Sequence, residues 1–411
     1  MDDSEATSVT RRRILRTSVG TVGTLGVAGC QSGTEEAASA TGDTPAENED
    51  TATLTDEQGT TAEDAATASS SYSVSMEPVG EVTFESVPDR WMTYYSTYGD
   101  MGIALGHLDG LAGLFYVDDW PTDFYDRLPG VDVSLEDVQK ISASDGIDRE
   151  VFYEMDCDVH LMDPNMLTWI DDNWSESDVE DVRTEVGPFV GNHIRRRGYE
   201  WHNYRPYSLY EAFETVAEVF QEHDRYEVLR EVHDGLLADL QAGLPPEDDR
   251  PSVGFLSVNS DFESGTFYAY PLGAGNGKKQ YRDVRIDDAF ADDIDGAFAE
   301  WDYEQLLSAD PDALVFLYGF SHTSAEDFES GVEQMRDDPV GSQLTAVDEG
   351  RLYRGGTEYQ GPIINLFQTE AAAKQLYPDQ FGAWNGLEDP IPEAERLFDY
   401  HRVADIINGL A

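Results

Sequence analysis

The sequence predicts an α/β protein of two similar lobes joined by a single long interlobe helix. Three observations carry that prediction. Short apolar strand-like runs alternate with helical runs along most of the chain, the pattern of parallel α/β units. A phrase in the first half, "REVFYEMDCDVHLMDP" (Arg149 to Pro164), returns in the second as "YEQLLSADPDALVFLYG" (Tyr303 to Gly319). In each copy a glutamate, Glu150 or Glu304, stands seven positions before the residue (Cys157 or Pro311) that precedes an aspartate (Asp158 or Asp312), and an apolar run follows. Between the copies lies one long amphipathic stretch, Ser208 to Leu244, whose Leu209, Phe213, Val216, Val219 and Phe220 recur at helical spacing. Internal repetition is the strongest organising signal a sequence offers.

The N-terminus reads as an address. "TRRRILR" (Thr10 to Arg16) precedes an apolar stretch, Val19 to Ala28, and resembles a twin-arginine export motif. "GVAGC" then ends at Cys30 and resembles a lipobox, so the thiol of Cys30 is the expected lipid site. The apolar stretch is short and rich in Gly and Thr for a membrane span. Residues 31–76 are Thr, Ala, Ser, Glu and Asp with few large apolar side chains, the composition of a disordered acidic tether. The expected organisation is therefore a signal peptide over 1–30, a tether over 31–76 and an N-terminal lobe over 77–204. The interlobe helix follows over 205–246, a C-terminal lobe over 247–382, and an extension over 383–411.

Within the first lobe, Arg90–Ser96 reads as a strand, "GDMGIALGHL" as a helix and Leu111–Val117 as the next strand. "DREVFYEM" is a helix that feeds the strand "DVHLMDP". After Pro245-Pro246 stops the long helix, "SVGFLSVN" is a strand, "WDYEQLLSA" a helix, "ALVFLYG" a strand and "RLYRGG" a last short strand. A helix over Gln360–Leu376 closes the lobe. Both lobes are expected to be Rossmann-like.

Charge narrows the classes further. The chain of 411 residues has 83 acidic against 26 basic residues, a formal charge of −57. Lysine occurs only at Lys140, Lys278, Lys279 and Lys374. Such self-repulsion is relieved near molar salt, where the Debye length falls to about 3 Å, so a halophilic protein is expected. With 40% hydrophobic residues and 21 Tyr the chain can build cores, which excludes general disorder. Nucleic acid is excluded as a partner, because phosphate binding needs clustered cations. Cys157 is the one cysteine left beyond Cys30, so no disulfide forms within the mature chain. The "CDVH" around it matches Pro311 and Leu314 of the second copy and reads as strand packing rather than a metal site. No Gly-x-Ser-x-Gly elbow is present, so no enzyme activity is expected.

The order and spacing of "PFVGNHIRRRGYEW", the long helix, "EQLLSADPDALVF", "LTAVDEGRLYRGG" and "QLYPDQFG" resemble the solute-binding lipoproteins of ABC transporters. The branch is the class III periplasmic binding proteins for iron-siderophores and cobalamin, here of haloarchaeal type. The resemblance covers about residues 77–382. Cys157 stands where that family usually has Pro, and residues 388–411 follow its usual end. It implies a protein held by a lipid at the extracellular face of the membrane. Its partners would be an ABC permease dimer with its ATPase and a small-molecule metal chelate, with no cofactor of its own. It also implies that Glu150 and Glu304, one per lobe, dock on permease arginines; as helix N-terminal acids they also suit the helix dipole.

Solute should lie between the lobes at the strand ends. The loops there supply Tyr95, Tyr98, Tyr116, Trp120, Asn165, Tyr268, Tyr270, Tyr318, His322 and Tyr359. Arg195, Arg196 and Arg197 are conspicuous in so acidic a chain, and guanidinium forks suit carboxylate or catecholate oxygens. Their alternative is a salt-bridge network with nearby acids. Trp201 and Tyr204 lie close by in sequence and could stack on a chelate. The eight histidines are scattered, so a bare metal site is not expected. A ferric siderophore-like chelate is the first expectation. Haem, cobalamin and a structural cell-surface lipoprotein stand as alternatives.

Overall fold

The computed structural model describes residues 71–115, 117, 120–141 and 146–411. Cys30, the signal segment, the tether up to residue 70 and Tyr116 lie outside the described residues.

The first element is a hairpin of β1 (Tyr72–Met76) and β2 (Gly80–Phe84). "YSVSM" alternates, so Val74 and Met76 face the core while the serines face out. The Tyr72 hydroxyl donates to the Val219 carbonyl at 2.5 Å. The folded part therefore includes 72–76, which composition alone had assigned to the tether.

The N-terminal sheet holds β3 (Trp91–Thr93), β4 (Leu111–Leu114), β5 (Gln139–Lys140) and β6 (Val159–Leu161), all parallel, in the order β5-β4-β3-β6. Counted within the lobe this is 3-2-1-4, the doubly wound order. Every residue of β3, β4 and β6 is buried, as covered parallel strands require. The second sheet runs β10-β8-β7-β11-β12, with β9 (Asp287–Asp288) beside β7. Its parallel centre is β7 (Ser252–Ser257), β11 (Ala313–Leu317) and β12 (Leu352–Arg354). β8 (Phe267–Tyr270) and β10 (Ala299–Trp301) are antiparallel additions. Trp301, expected in a helix, ends β10. Asp302 then caps the helix Tyr303–Ala309 in a capping box with Gln305.

The repeated phrase has a structural cause. The helices Glu150–Met155 and Tyr303–Ala309 both end on a left-handed aspartate, Asp156 (φ 46°) and Asp310 (φ 40°), before β6 and β11. The aspartate two residues on then holds the start of each central strand. Asp158 accepts from the backbone N–H of Asp89 and Arg90 at 3.0 and 2.9 Å, just ahead of β3. Asp312 accepts from the Ser252 N–H at 2.8 Å and the Ser252 hydroxyl at 3.1 Å, at the first residue of β7. Cys157 and His160 are packing residues, both buried, with the His160 ring on the Gly187 carbonyl.

The amphipathic run expected as one helix over 205–246 is two helices, Leu209–Phe220 and His223–Gly243. Ser208 and Glu211 form the capping box of the first. Gln221 ends it in the left-handed region (φ 56°), without the glycine that would have marked the stop. The chain then folds back, bringing the Phe213 ring to 5.3 Å from Tyr226 and Tyr210 to 4.1 Å from His233. The connecting helix is thus His223–Gly243, about 30 Å long at 1.5 Å per residue.

The lobes share a core. Phe124 of the first stacks on Phe367 (5.2 Å) and meets Phe320 edge-on (5.6 Å), both of the second. The helix Pro362–Leu376 is buried along its whole length. Several of its polar side chains are hydrogen-bonded: the Glu370 carboxylate, for example, accepts from the Leu397 N–H and the Tyr400 hydroxyl. The C-terminal extension is therefore part of the fold. Lys374 donates to the carbonyls of Phe381 and Glu395, each at 2.7 Å, and Arg127 donates to the Leu387 carbonyl at 2.6 Å. The last helix, Tyr400–Ile407, packs on His223–Gly243.

Candidate solute site

In a 3-2-1-4 sheet the crevice opens at the carboxyl ends of β3 and β6, where chain direction around the sheet reverses. Here β3 runs into Tyr94, Tyr95 and Ser96, and β6 into Met162 and Asp163. A narrow pocket lies there, lined by Tyr95, Tyr98, Asp163, Asn192, His193 and Arg195, with interior room for about one water. The segment 192–195 is pinned at its start by Tyr98, whose hydroxyl donates to the Asn192 carbonyl (2.9 Å) and accepts from the Asn192 N–H (2.8 Å).

The second lobe meets this segment directly. The N–H groups of Asn276 and Gly277 donate to the carbonyls of Ile194 (2.7 Å) and Arg195 (2.8 Å). Gly275 permits that approach: it has φ +103°, and a Cβ there would stand 2.5 Å from the Arg195 carbonyl oxygen. Above the seam sits Glu358, with no exposed surface. It accepts from Lys278 Nζ (2.9 Å), Arg196 Nε (3.2 Å) and Nη2, Arg195 Nη1 (3.3 Å) and the Tyr318 hydroxyl (2.9 Å). Arg195 lies over the rings of Tyr359 and Tyr95, and Arg196 and Lys278 over Tyr270. Burial alone would raise the Glu358 carboxyl; Arg196, Lys278 and Arg195 outweigh it and hold it well below its ordinary value. Burial lowers Lys278 despite the carboxylate beside it.

His193 stands beside this cluster, 3% exposed, with neither ring nitrogen hydrogen-bonded. Burial first, then the charges of Arg195, His202 and Arg196, hold it well below its ordinary value, so the imidazole is neutral. The rings of Tyr199 (5.1 Å) and Trp201 (5.4 Å) flank it. Asp163, pushed up to about 6 by burial, accepts from the His193 N–H (2.9 Å) and the Tyr204 hydroxyl (2.5 Å).

Of the residues singled out from the sequence, the structure gathers Tyr95, Tyr98, Arg195, Arg196, Tyr270, Tyr318 and Tyr359 into this crevice, with Trp201 at its flank. Arg195 and Arg196 are not free forks, since both bind Glu358. Arg197 is exposed. Trp120 is core, its ring lying on Gly99 where a Cβ would come within 2.5 Å. Tyr268 packs on Phe298. His322 is exposed, 5.5 Å from the Tyr318 ring. Asn165 begins the helix Asn165–Ile170 after the Asp163 turn. Glu150 and Glu304 are both exposed in the first turns of the two equivalent helices. Sequence reasoning missed Glu358, Lys278, His193 and Asp163. The scarcity of lysine was a signal for one of them: Lys278 and Lys374 are both buried.

The family model described as periplasmic binding protein matches residues 92–359, which spans both sheets and ends beside Glu358. The chain belongs to the periplasmic binding protein family. A search of curated protein sequences returned no match. Among solved structures, this binding protein is similar to the iron uptake ABC transporter substrate-binding protein PiuA of Streptococcus pneumoniae. The TM-score is 0.54 at 14% identity, over 75% of this chain and 99% of that one. It is similar to a periplasmic binding protein of Veillonella parvula (TM-score 0.53, 17% identity, 75% and 97% covered). It is also similar to the petrobactin-binding protein YclQ of Bacillus subtilis (TM-score 0.53, 14% identity, 75% and 99% covered). At these identities the likeness is one of fold: two α/β lobes around a central crevice. Among the described residues no helix is long and apolar enough to cross a membrane.

Proposed function

We propose that this binding protein is the solute-capturing component of an ABC importer, and that its cargo is an anionic iron chelate of the siderophore kind. The observation that carries the reading is the largely buried group at the strand ends, in which the part-buried Arg195 and Arg196 and the buried Lys278 face the single carboxylate of Glu358. A chain of net charge −57 holds an excess of cations in one crevice, and buried charge calls for a partner of opposite sign. The tyrosines around it suit a ligand with flat or aromatic arms. Two structural neighbours named for iron uptake and for petrobactin support the same choice of cargo. Cargo would pass to a permease dimer with its ATPase, with Glu150 and Glu304 as the docking acids and Cys30 as the lipid anchor at the extracellular face of the membrane.

A haem or cobalamin ligand is the second reading. It is favoured by His193, a neutral imidazole with open nitrogens beside Tyr199 and Trp201. A thermal melt in molar salt against ferric catecholates, ferric hydroxamates, haem and cobalamin decides between them. The proposal expects stabilisation by an anionic ferric chelate. Stabilisation by haem or cobalamin alone moves the assignment to the second reading, and no stabilisation by any of them removes both.

A further inference from the structure

We propose that Glu358 is a fixed internal counter-anion that sets how much negative charge a solute must bring, and is the specificity-determining residue of the crevice. This rests on the reading of the crevice as a solute site and deepens it. Three cations surround one carboxylate: Arg196 through two nitrogens, Arg195 through one, and Lys278 through Nζ. The rings of Tyr95, Tyr270 and Tyr359 offer these cations π-faces, not formal charges. The other carboxyl of the crevice, Asp163, is engaged by the His193 and Asn165 N–H groups and Tyr204. Glu358 is the carboxylate in direct contact with these three cations and cancels one of their positive charges, leaving the cluster itself with an excess of two; Asp163, hydrogen-bonded but still an acid, lies beside the cluster rather than in it.

Glu358 is built in rather than poised to leave. Its neighbours in sequence are held on both sides: the Thr357 N–H donates to Gln368 Oε1 at 2.7 Å, and the Tyr359 carbonyl accepts from Ser96 Oγ at 2.9 Å. Its five hydrogen bonds come from both lobes, Arg195 and Arg196 from the first and Lys278 and Tyr318 from the second. Among the groups still open are Arg195 Nε–H and Trp201 Nε1–H, both donors, and the two ring nitrogens of the neutral His193, one a donor and the other an acceptor, all buried and without hydrogen bonds. A solute anion entering here meets the residual positive charge and these open groups, while Glu358 stays in place. Charge complementarity of this kind discriminates between partners more than it adds raw affinity.

The test uses two variants that move the charge of the cluster in opposite directions, Glu358→Gln and Lys278→Met. Wild type and both variants are titrated in molar KCl with trianionic iron(III) tris-catecholate, neutral iron(III) tris(acetohydroxamate) and metal-free citrate, followed by tryptophan fluorescence. The ratio of affinities, trianionic over neutral, should rise roughly tenfold in Glu358→Gln and fall roughly tenfold in Lys278→Met. Should the glutamine variant fail to fold, the methionine variant carries the test alone: its ratio must fall. A shift of both variants in the same direction, or an equal loss for every ligand, marks a merely structural role and overturns the inference. If no iron complex binds but citrate affinity follows the same order across the three proteins, the iron-chelate reading fails and the role of Glu358 stands. If citrate and both complexes bind none of them, the inference is overturned.

Discussion

Replacing Asp100 by asparagine should make the stability difference from wild type depend on pH in a defined direction. Asp100 lies in the helix Ser96–Ala104 of the first lobe with no exposed surface. Its carboxylate accepts from the Tyr125 hydroxyl and, at 3.0 Å, from the Ile364 N–H in the first turn of the central helix of the second lobe. It thus caps one lobe's helix from the other. Burial pushes it up from 3.8 to about 7, against the pull of those hydrogen bonds. A carboxyl raised by folding binds its proton more tightly folded than unfolded. Its contribution is therefore greatest below its ordinary value and is lost as pH rises toward and past 7. At 1.36 kcal/mol per pH unit the displacement is worth about 4 kcal/mol, of which roughly 2–3 falls between pH 5 and pH 8. The Asp100→Asn variant has no such titration. It keeps one acceptor but turns an amide N–H toward a donor, at a cost of about 1–3 kcal/mol. Guanidinium unfolding of both proteins in molar KCl at pH 5 and pH 8 measures the difference, and groups that titrate equally in both cancel. Wild type should lead by more at pH 5, with the lead shrinking by about 2–3 kcal/mol at pH 8. A lead that is constant, or that grows with pH, would refute the reasoning.

Three further outcomes are expected. Changing Glu150 and Glu304 together to alanine should leave solute affinity within about twofold, because exposed charges contribute little in salt, while transport into cells is lost; normal transport would remove the docking role. Dialysis from molar to millimolar salt should lower Tm by on the order of 10 °C, as unscreened carboxylates repel; a Tm indifferent to salt would contradict the halophilic reading. Cys30→Ser should release the protein into the medium, and membrane association that survives a high-salt wash would sink the lipid anchor.

The two-lobed α/β class was legible because it rests on local, periodic signals. β6, β7 and β11 are short apolar runs followed or preceded by turn residues, and Ser208 with Glu211 announces the start of a helix within four residues. The repeated aspartate was visible as a pattern, and its role became clear only when Asp158 and Asp312 were seen holding β3 and β7, 68 and 60 residues away. The break at Gln221 left no trace, because a left-handed glutamine carries no sequence mark and the fold-back is stabilised by Tyr210 meeting His233 across the turn. The site divides the same way. Residue type identified Arg195, Arg196 and the strand-end tyrosines as interesting, since a run of three arginines stands out in so acidic a chain. It could not say that Glu358, over 160 positions later, already occupies them. Pairing between distant charges is decided by which loops the sheet order brings to one crevice. Local chemistry in the chain therefore named the donors, and the packing of two lobes chose their partner.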